Sequence, residues 1–397
     1  MILSQKNLGI SQSLTLSIDA KAKKMLSEGY DVIGFGAGEP DFPTPDYIIR
    51  AAKDALDQGM TRYTPSSGTL HLRQAICRKL EKDNHIVYTP DEIIVSNGAK
   101  HSLYNIFQAI LNPGDEVIIP RPYWLSYPEM VKMADGVSVY LNTEEDNSFK
   151  IRIEELRKAV TPKTKALVLN NPSNPCGSVY EKHELAAIAG LAVERGFYIV
   201  SDEIYEELTY DGMQHVSIAS LSEEVKEVTL TVNGMSKAYA MTGWRIGYTA
   251  GPRHVIKIMS NIQSHSTSNP NSIAQYASSA ALDAPKEQIK HMVQEFDRRR
   301  LYMAEKINSI PYLSCIKPKG AFYMMMNISK AIGKRYGDTI IDNSLTFADA
   351  LLESQKVTVV PGMAFGADNY VRLSYAISMD KIKKGLDRIE KFMSELV

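Results

Sequence analysis

The sequence predicts an α/β fold with a mostly parallel central sheet and a smaller α+β domain. Three observations predict it. From about residue 92, short apolar runs alternate with amphipathic helical stretches. Those runs are continuous rather than alternating, as strands buried on both faces require. After about residue 285 the rhythm gives way to a long charged helix, further strand-like runs and a closing helix.

The elements follow in order. IDAKAKKMLSEGYDVIGFGAG reads as a helix from Ile18, a turn at Gly29 and a short strand. GEPDFPTP is punctuated by Gly and Pro, which favour turns. DYIIRAAKDALDQG and LHLRQAICRKLEKDNH are amphipathic helices flanking the loop TRYTPSSGT. EIIVSNGAK is a strand ending in a glycine turn, and HSLYNIFQAIL is a helix. EVIIPRP, GVSVYLN, KALVLN and FYIVSD are strands, separated by the helices PEMVKMA, IRIEELRKAV and ELAAIAGLAVERG, the last stopping at Gly196. EVTLTVNGMSK and RIGYTAG complete the central set. QIKHMVQEFDRRRLYMAEKINSI then leads to KGAFYMMMNI, KVTVVPG and YVRLSYA, and DKIKKGLDRIEKFMSEL closes the chain. These elements place a large domain at 47–285 and a small domain made of 1–46 and 286–397. Met324–Met326, on a strand, read as core packing.

Composition narrows the function classes. The 397 residues are 44% hydrophobic and 23% charged, a globular balance. Lys and Arg number 45 against 46 Asp and Glu, so no global field draws nucleic acid or an anionic membrane. Cys77, Cys176 and Cys315 are odd in number and far apart, which gives no disulfide framework or metal spacing and fits a reducing, cytoplasmic compartment. The N-terminus lacks a signal-peptide core, and no run of about 18 apolar residues marks a membrane span.

Polar groups gather where strands end: Asn97, Asn170, Asp202 and Lys237. In open α/β sheets, ligands bind at those ends. Lys237 sits in NGMSKAYAMTGWRIGY with no acidic neighbour in that window, eight positions ahead of Arg245. A lysine amine is a nucleophile only when neutral, and burial or a nearby cation lowers its pKa. Gly234, Ser236 and Ala238 leave room for a planar partner. A lysine covering a helix end explains the same residues equally well. In SNGAK, Gly98 and Ala99 open a helix whose start suits phosphate, although a simple turn accounts for one glycine. In SDEIY, Asp202 suits a protonated heterocycle nitrogen and Tyr205 a phenolate oxygen. A helix cap and a core tyrosine are the alternative.

Taken together, AGEPDFPTP, RYTPSSG, GAKHSLYNIFQAILNPGDEV, PYWLSYPEM, NNPSNPCG, VSDEIYE, SKAYAMTGWRIGY, KGAFY and VRLSYA resemble a class I pyridoxal-phosphate (PLP) aminotransferase. The likeness covers nearly the whole chain and is strongest to the bacterial-type aspartate aminotransferase branch. It implies the PLP-dependent transferase fold, the cofactor pyridoxal 5'-phosphate, and transamination between an L-amino acid and a 2-oxo acid such as 2-oxoglutarate. The implied donor is aspartate or another dicarboxylate.

The resemblance also implies roles. Lys237 is the lysine that holds the cofactor covalently and moves the substrate α-proton. Asp202 pairs with the ring nitrogen, while Tyr205 and Asn174 donate to the phenolate oxygen. Gly98, Ala99 and Lys100 cradle the phosphate with Ser236 and Arg245. Trp124 stacks on the ring, beside the substrate. Tyr63 reaches the phosphate from a neighbouring subunit, which implies a homodimer. Arg372 clamps the substrate α-carboxylate, Gly38 and Asn174 contact it, and Lys100 faces the distal carboxylate.

Two positions depart from the family pattern. Cys176 stands where threonine is common, and His101, beside Lys100, reads as a helix-surface histidine. An aromatic amino acid aminotransferase or a carbon–sulfur β-lyase would use the same site. A PLP-binding regulator would carry a fused nucleic-acid-binding region, and the sequence shows none.

Overall fold

The structure is a computed structural model that describes residue 4 and residues 8–397. Residues 1–3 and 5–7, part of the N-terminal stretch read above as lacking a signal-peptide core, lie outside the described residues. In chain order the strands are β1 (Ile33–Gly34), β2 (Ile93–Ser96), β3 (Glu116–Arg121), β4 (Val137–Asn142), β5 (Thr164–Asn170), β6 (Tyr198–Asp202), β7 (Thr229–Gly234) and β8 (Gly247–Ala250). They continue as β9 (Ser314–Cys315), β10 (Tyr323–Asn327), β11 (Arg335–Tyr336), β12 (Thr339–Ile340), β13 (Val357–Thr358), β14 (Val360–Pro361) and β15 (Tyr370–Ser374).

Seven strands form the central sheet in the order β2-β8-β7-β6-β5-β3-β4. The run from β7 to β4 is parallel. The sheet is thus mostly parallel, as expected, with one reversal at β8, which is antiparallel to both its neighbours. Its cause is local: residues 235–246, which join β7 to β8, contain no α-helix, and a parallel return needs a long crossover. Burial is unbroken along β2, β7 and β8, which explains their lack of alternation.

Helices cover both faces. Leu103, Ile106, Val255 and Met259 pack on Ile94, Val168 and Val232. Leu72, Ile76 and Ala277 pack on Ile93, Val95 and Tyr248. Leu185 and Ile188 pack on Leu167 and Ile199. Each fully buried large aliphatic side chain contributes about 1.5–3 kcal/mol relative to exposure.

A four-stranded sheet, β14-β15-β10-β9, forms the second layer, with Met325 opposite Arg372. Met324, Met325 and Met326 are all buried in this layer. The run KVTVVPG divides where one strand was expected. β13 pairs in parallel with β1, and β14 pairs antiparallel with β15. The helix Leu14–Ser27 starts ahead of the expected Ile18, because nothing in LTLS interrupts it. No helix among the described residues is long and apolar enough to cross a membrane.

The parallel strands deliver their exits to one edge. Asn170 lies opposite Asp202, and Asp202 opposite Val232. The helix Ala99–Ile110 rests on the start of β8. A Cβ on Gly247 would lie 2.3 Å from the Ala99 nitrogen and 2.5 Å from the Gly98 carbonyl carbon. Gly247→Ala is therefore expected to cost about 1–3 kcal/mol through overpacking. Denaturant unfolding checks this, and an unchanged midpoint would show that the helix start has slack.

Candidate active site

The strand exits open into a cleft of about 530 Å³. Gly38, Ala99, Lys100, Trp124, Asn174, Asp202, Tyr205, Ser236, Lys237, Arg245 and Arg372 all line it, so sequence-distant candidates meet in one place. Gly98 stands at its edge, under the Arg245 guanidinium. Tyr63 does not line the cleft. It projects from the 61–69 loop and is 91% exposed.

Lys237 follows the end of β7. Its side chain is half-buried, and its Nζ donates to the Gly38 carbonyl. The rings of Phe322 and Tyr205 lie 5.6 and 5.8 Å from Nζ. Burial is the main force on the amine and lowers its pKa to about 8. Glu39 opposes the shift, Arg372 and Arg245 add to it, and Asp202 opposes it.

Asp202 ends β6 and is buried. Its Oδ2 accepts from the Tyr127 hydroxyl at 2.7 Å, and its Oδ1 accepts from the Ile204 N–H at 3.3 Å. Burial nevertheless raises the carboxyl pKa to about 6. The anion is under-compensated, so a cation placed against it would be stabilised. The Tyr205 hydroxyl lies 3.1 Å from that of Tyr323, and burial drives the Tyr205 pKa far up, which keeps it a donor.

Asn170 and Asn174 connect these groups to the second sheet. Asn170 donates to the Asp202 carbonyl at 2.9 Å and accepts from the Asn174 N–H at 2.7 Å. The Asn174 side-chain oxygen accepts from Arg372 Nη1 at 2.9 Å. Arg372 also donates through Nη2 to the Gly36 carbonyl at 3.1 Å, and its plane covers the Tyr323 ring at 4.3 Å. It is buried, and among the described residues its Nε has no partner and no carboxylate pairs with it. A buried guanidinium in that condition is a receptor for an anion.

The remaining wall is cationic. Gly98, at φ +88°, caps the helix Ala99–Ile110. First-turn N–H groups have no helical acceptor and suit an anion. Arg245 takes the left-handed conformation, φ +58°, and donates to Thr242 O at 2.9 Å and to Asn97 O at 3.3 Å. A Cβ on Gly98 would meet its Nη2 at 2.2 Å, so only glycine lets the guanidinium cover the helix start. Ser236 is buried beside Lys237. Lys100 Nζ lies 4.9 Å from the Trp124 ring centroid, and burial followed by Arg245 lowers its pKa.

His101 is half-buried rather than a surface residue. Its Nδ1 accepts from the Asn97 N–H at 3.2 Å, and burial lowers its pKa, so it acts as a neutral cap. Cys176 is buried, and burial pushes its thiol well above the ordinary range.

Residues 30–389 match the family described as Aminotransferase class I and II. This chain belongs to that family. It is an aminotransferase of a PLP-dependent class. It is 50% identical over 393 residues to an aspartate aminotransferase of Geobacillus stearothermophilus, covering 99% of each chain. Its structure is similar to an aspartate aminotransferase from Rhizobium meliloti, with TM-score 0.97, 41% identity and 100% coverage of both chains. It is also similar to the Thermus thermophilus aspartate aminotransferase solved with maleate, with TM-score 0.93, 44% identity, and coverage of 99% of this chain and 100% of that one.

Sequence reasoning missed three groups in this aminotransferase. Tyr127, Tyr323 and Glu39 lie within the quoted motifs PYWLSYPEM, KGAFY and AGEPDFPTP, but no local spacing ties them to Asp202, Tyr205 or Lys237.

The raised Asp202 pKa sets a stability prediction. The folded protein holds this proton more tightly than the unfolded chain. The stabilising term is therefore present below about pH 4 and is lost as pH rises through about 6. Above that window the buried charge costs up to about 3 kcal/mol. Cofactor-free Asp202→Asn should melt higher than the wild type at pH 7.5, with the gap closing toward pH 4. Equal melting at both pH values would contradict the assigned burial cost.

Proposed function

We propose that this aminotransferase binds PLP in the cleft and transfers an amino group from aspartate or a related dicarboxylate to a 2-oxo acid such as 2-oxoglutarate. One observation carries the reading: the Lys237 amine, with its lowered pKa, shares a cleft with Arg372, a buried cation that no anion among the described residues pairs with. The donor set fits the cofactor. The helix start with Ser236 and Arg245 suits its phosphate, Asp202 its ring nitrogen, Tyr205 and Asn174 its phenolate oxygen, and Trp124 its ring face. When bound, PLP supplies an aldehyde that captures amino groups and a ring that withdraws electrons from the substrate Cα.

The chain's own residues perform the rest. Arg372 binds the α-carboxylate through its guanidinium fork, with Gly38 and Asn174 alongside. Lys100 supplies a second cation for a distal carboxylate. Binding at two cations fixes the substrate's rotation, which selects the Cα–H bond for cleavage. Lys237 Nζ, as the neutral amine, accepts the proton leaving Cα. Asp202 stays ionised once a cationic nitrogen faces it. Maleate, solved with the Thermus relative, is a dicarboxylate and supports this substrate class.

The exposed Tyr63 supports a homodimer in which Tyr63 of one subunit reaches the phosphate of its partner's site. Residues 47–285 act as the cofactor-binding domain, and 1–46 with 286–397 as a substrate-closure domain. The separated free cysteines support a cytoplasmic setting.

Lys237→Ala should lower turnover by at least about 10²- to 10⁴-fold, the range for loss of a positioned proton acceptor. Arg372→Lys should raise KM for aspartate about 10- to 100-fold by removing a charged fork. Steady-state kinetics with each common amino acid, 2-oxoglutarate and product identification check both. Aromatic donors outcompeting aspartate would overturn the dicarboxylate reading. Release of pyruvate and ammonia from a β-substituted donor, without amino transfer, would point to a lyase.

A further inference from the structure

Behind the cleft floor lies a buried polar network that the chemistry above does not use. Glu206, in the turn after β6, accepts from Lys79 Nζ and, at 2.7 Å, from Asn233 Nδ2 through one carboxylate oxygen. Its other oxygen accepts from Asn84 Nδ2 at 2.9 Å. Lys79 also donates to Asn84 Oδ1 at 2.7 Å, which closes a ring of contacts. All four residues are buried. Glu203, Glu206 and His215 bring metal-ligating atoms together nearby, but Lys79 already supplies the cation.

The network touches both halves of the catalytic floor. Glu206 directly follows Tyr205 and lies four residues after Asp202. Asn233 is in β7, and its side-chain oxygen accepts from the Gly234 N–H at 2.7 Å, at the strand end three residues before Lys237. Gly234 is clasped from the other side, since a Cβ there would meet the Ile246 carbonyl oxygen at 2.7 Å. A buried ion pair is weak evidence for stability, because apolar residues of similar volume often serve as well. What the network adds is direction: each donor and acceptor has one geometry that satisfies it.

We propose that Lys79, Glu206 and Asn233 are positioning residues that fix the Lys237 strand exit against the Asp202–Tyr205 turn. This rests on the reading of Lys237 as the cofactor lysine. The network works through the backbone at Gly234 and touches no substrate. Loosening it should misdirect the amine while leaving the Arg372 anion site intact.

The test uses the full chain in two variants. Asn233→Ala removes the bridge alone. The double variant Lys79→Met/Glu206→Met removes both charges and keeps the volume. Stripped protein is mixed with pyridoxal 5'-phosphate. The lysine amine joins the aldehyde carbon with loss of water, and borohydride adds hydride to the resulting C=N bond. Peptide mass analysis then gives the rate of capture at Lys237.

Capture at Lys237 should slow by about tenfold or more in both variants, as small misplacements of a reacting group do. Capture at surface lysines should be unchanged. In the loaded enzyme kcat should fall while KM for the amino acid holds, and the pH midpoint of the bound chromophore should move. Capture and midpoint matching the wild type, even with lowered melting temperature, would overturn the proposal by showing a structural role only. If the double variant does not fold, Asn233→Ala decides the matter on the same readouts. A wild-type adduct on a different lysine would instead overturn the reading of Lys237 itself.

Discussion

An amine that is to capture an aldehyde must shed its proton near neutral pH, and water opposes that by solvating the ammonium. In the role proposed for it, Lys237 resolves the conflict by position. It emerges at the end of a strand buried along its whole length, so the backbone carries it into a desolvated wall. Phe322 and Tyr205 replace water around Nζ, and Arg372 and Arg245 add positive potential. Glu39 and Asp202 pull the other way, which leaves the amine titrating near 8 instead of trapping it neutral or charged. The rest of the cleft is arranged around that compromise.

The two sheets divide the work. The central sheet contributes Asn170, Asp202 and Lys237 from adjacent strand ends, whose spacing the parallel register sets. The smaller sheet contributes Arg372 from the middle of β15, opposite Met325. Asn174 bridges the two through its bond to Arg372. Among the described residues, neither Asp202 nor Arg372, both buried, has an opposite charge in contact, a state that costs stability. On the proposed reading, these groups are retained for a ligand's charges instead of for the fold. Tyr127 and Tyr323 hold them in place without neutralising them.

Much of this was legible in the sequence. Apolar runs ending in polar residues located the strand exits, and the joint order of the motifs pointed to the family. What sequence could not supply was partnership across distance. Nothing near Tyr127 indicates that its hydroxyl meets a carboxylate on β6, and nothing near Lys79 indicates Glu206. His101 reads as a surface residue because its neighbours are helical, yet its ring turns back to cap Asn97. Strand direction was equally hidden at β8, where apolar content is the same for either sense and the short helix-free link decides. The division of 357–361 between two sheets follows from competing partners, β1 and β15, that lie far away in the chain.

The most direct measurement is the titration of the Lys237 amine in the cofactor-free protein. Lysine labelled with ¹³C at the carbon bearing the amine can be followed by NMR against pH, with Lys237→Arg assigning the signal. A midpoint near 8 is expected. A midpoint at the ordinary lysine value, above about 10, would leave the amine fully protonated at neutral pH and contradict its proposed role as the nucleophile of this site.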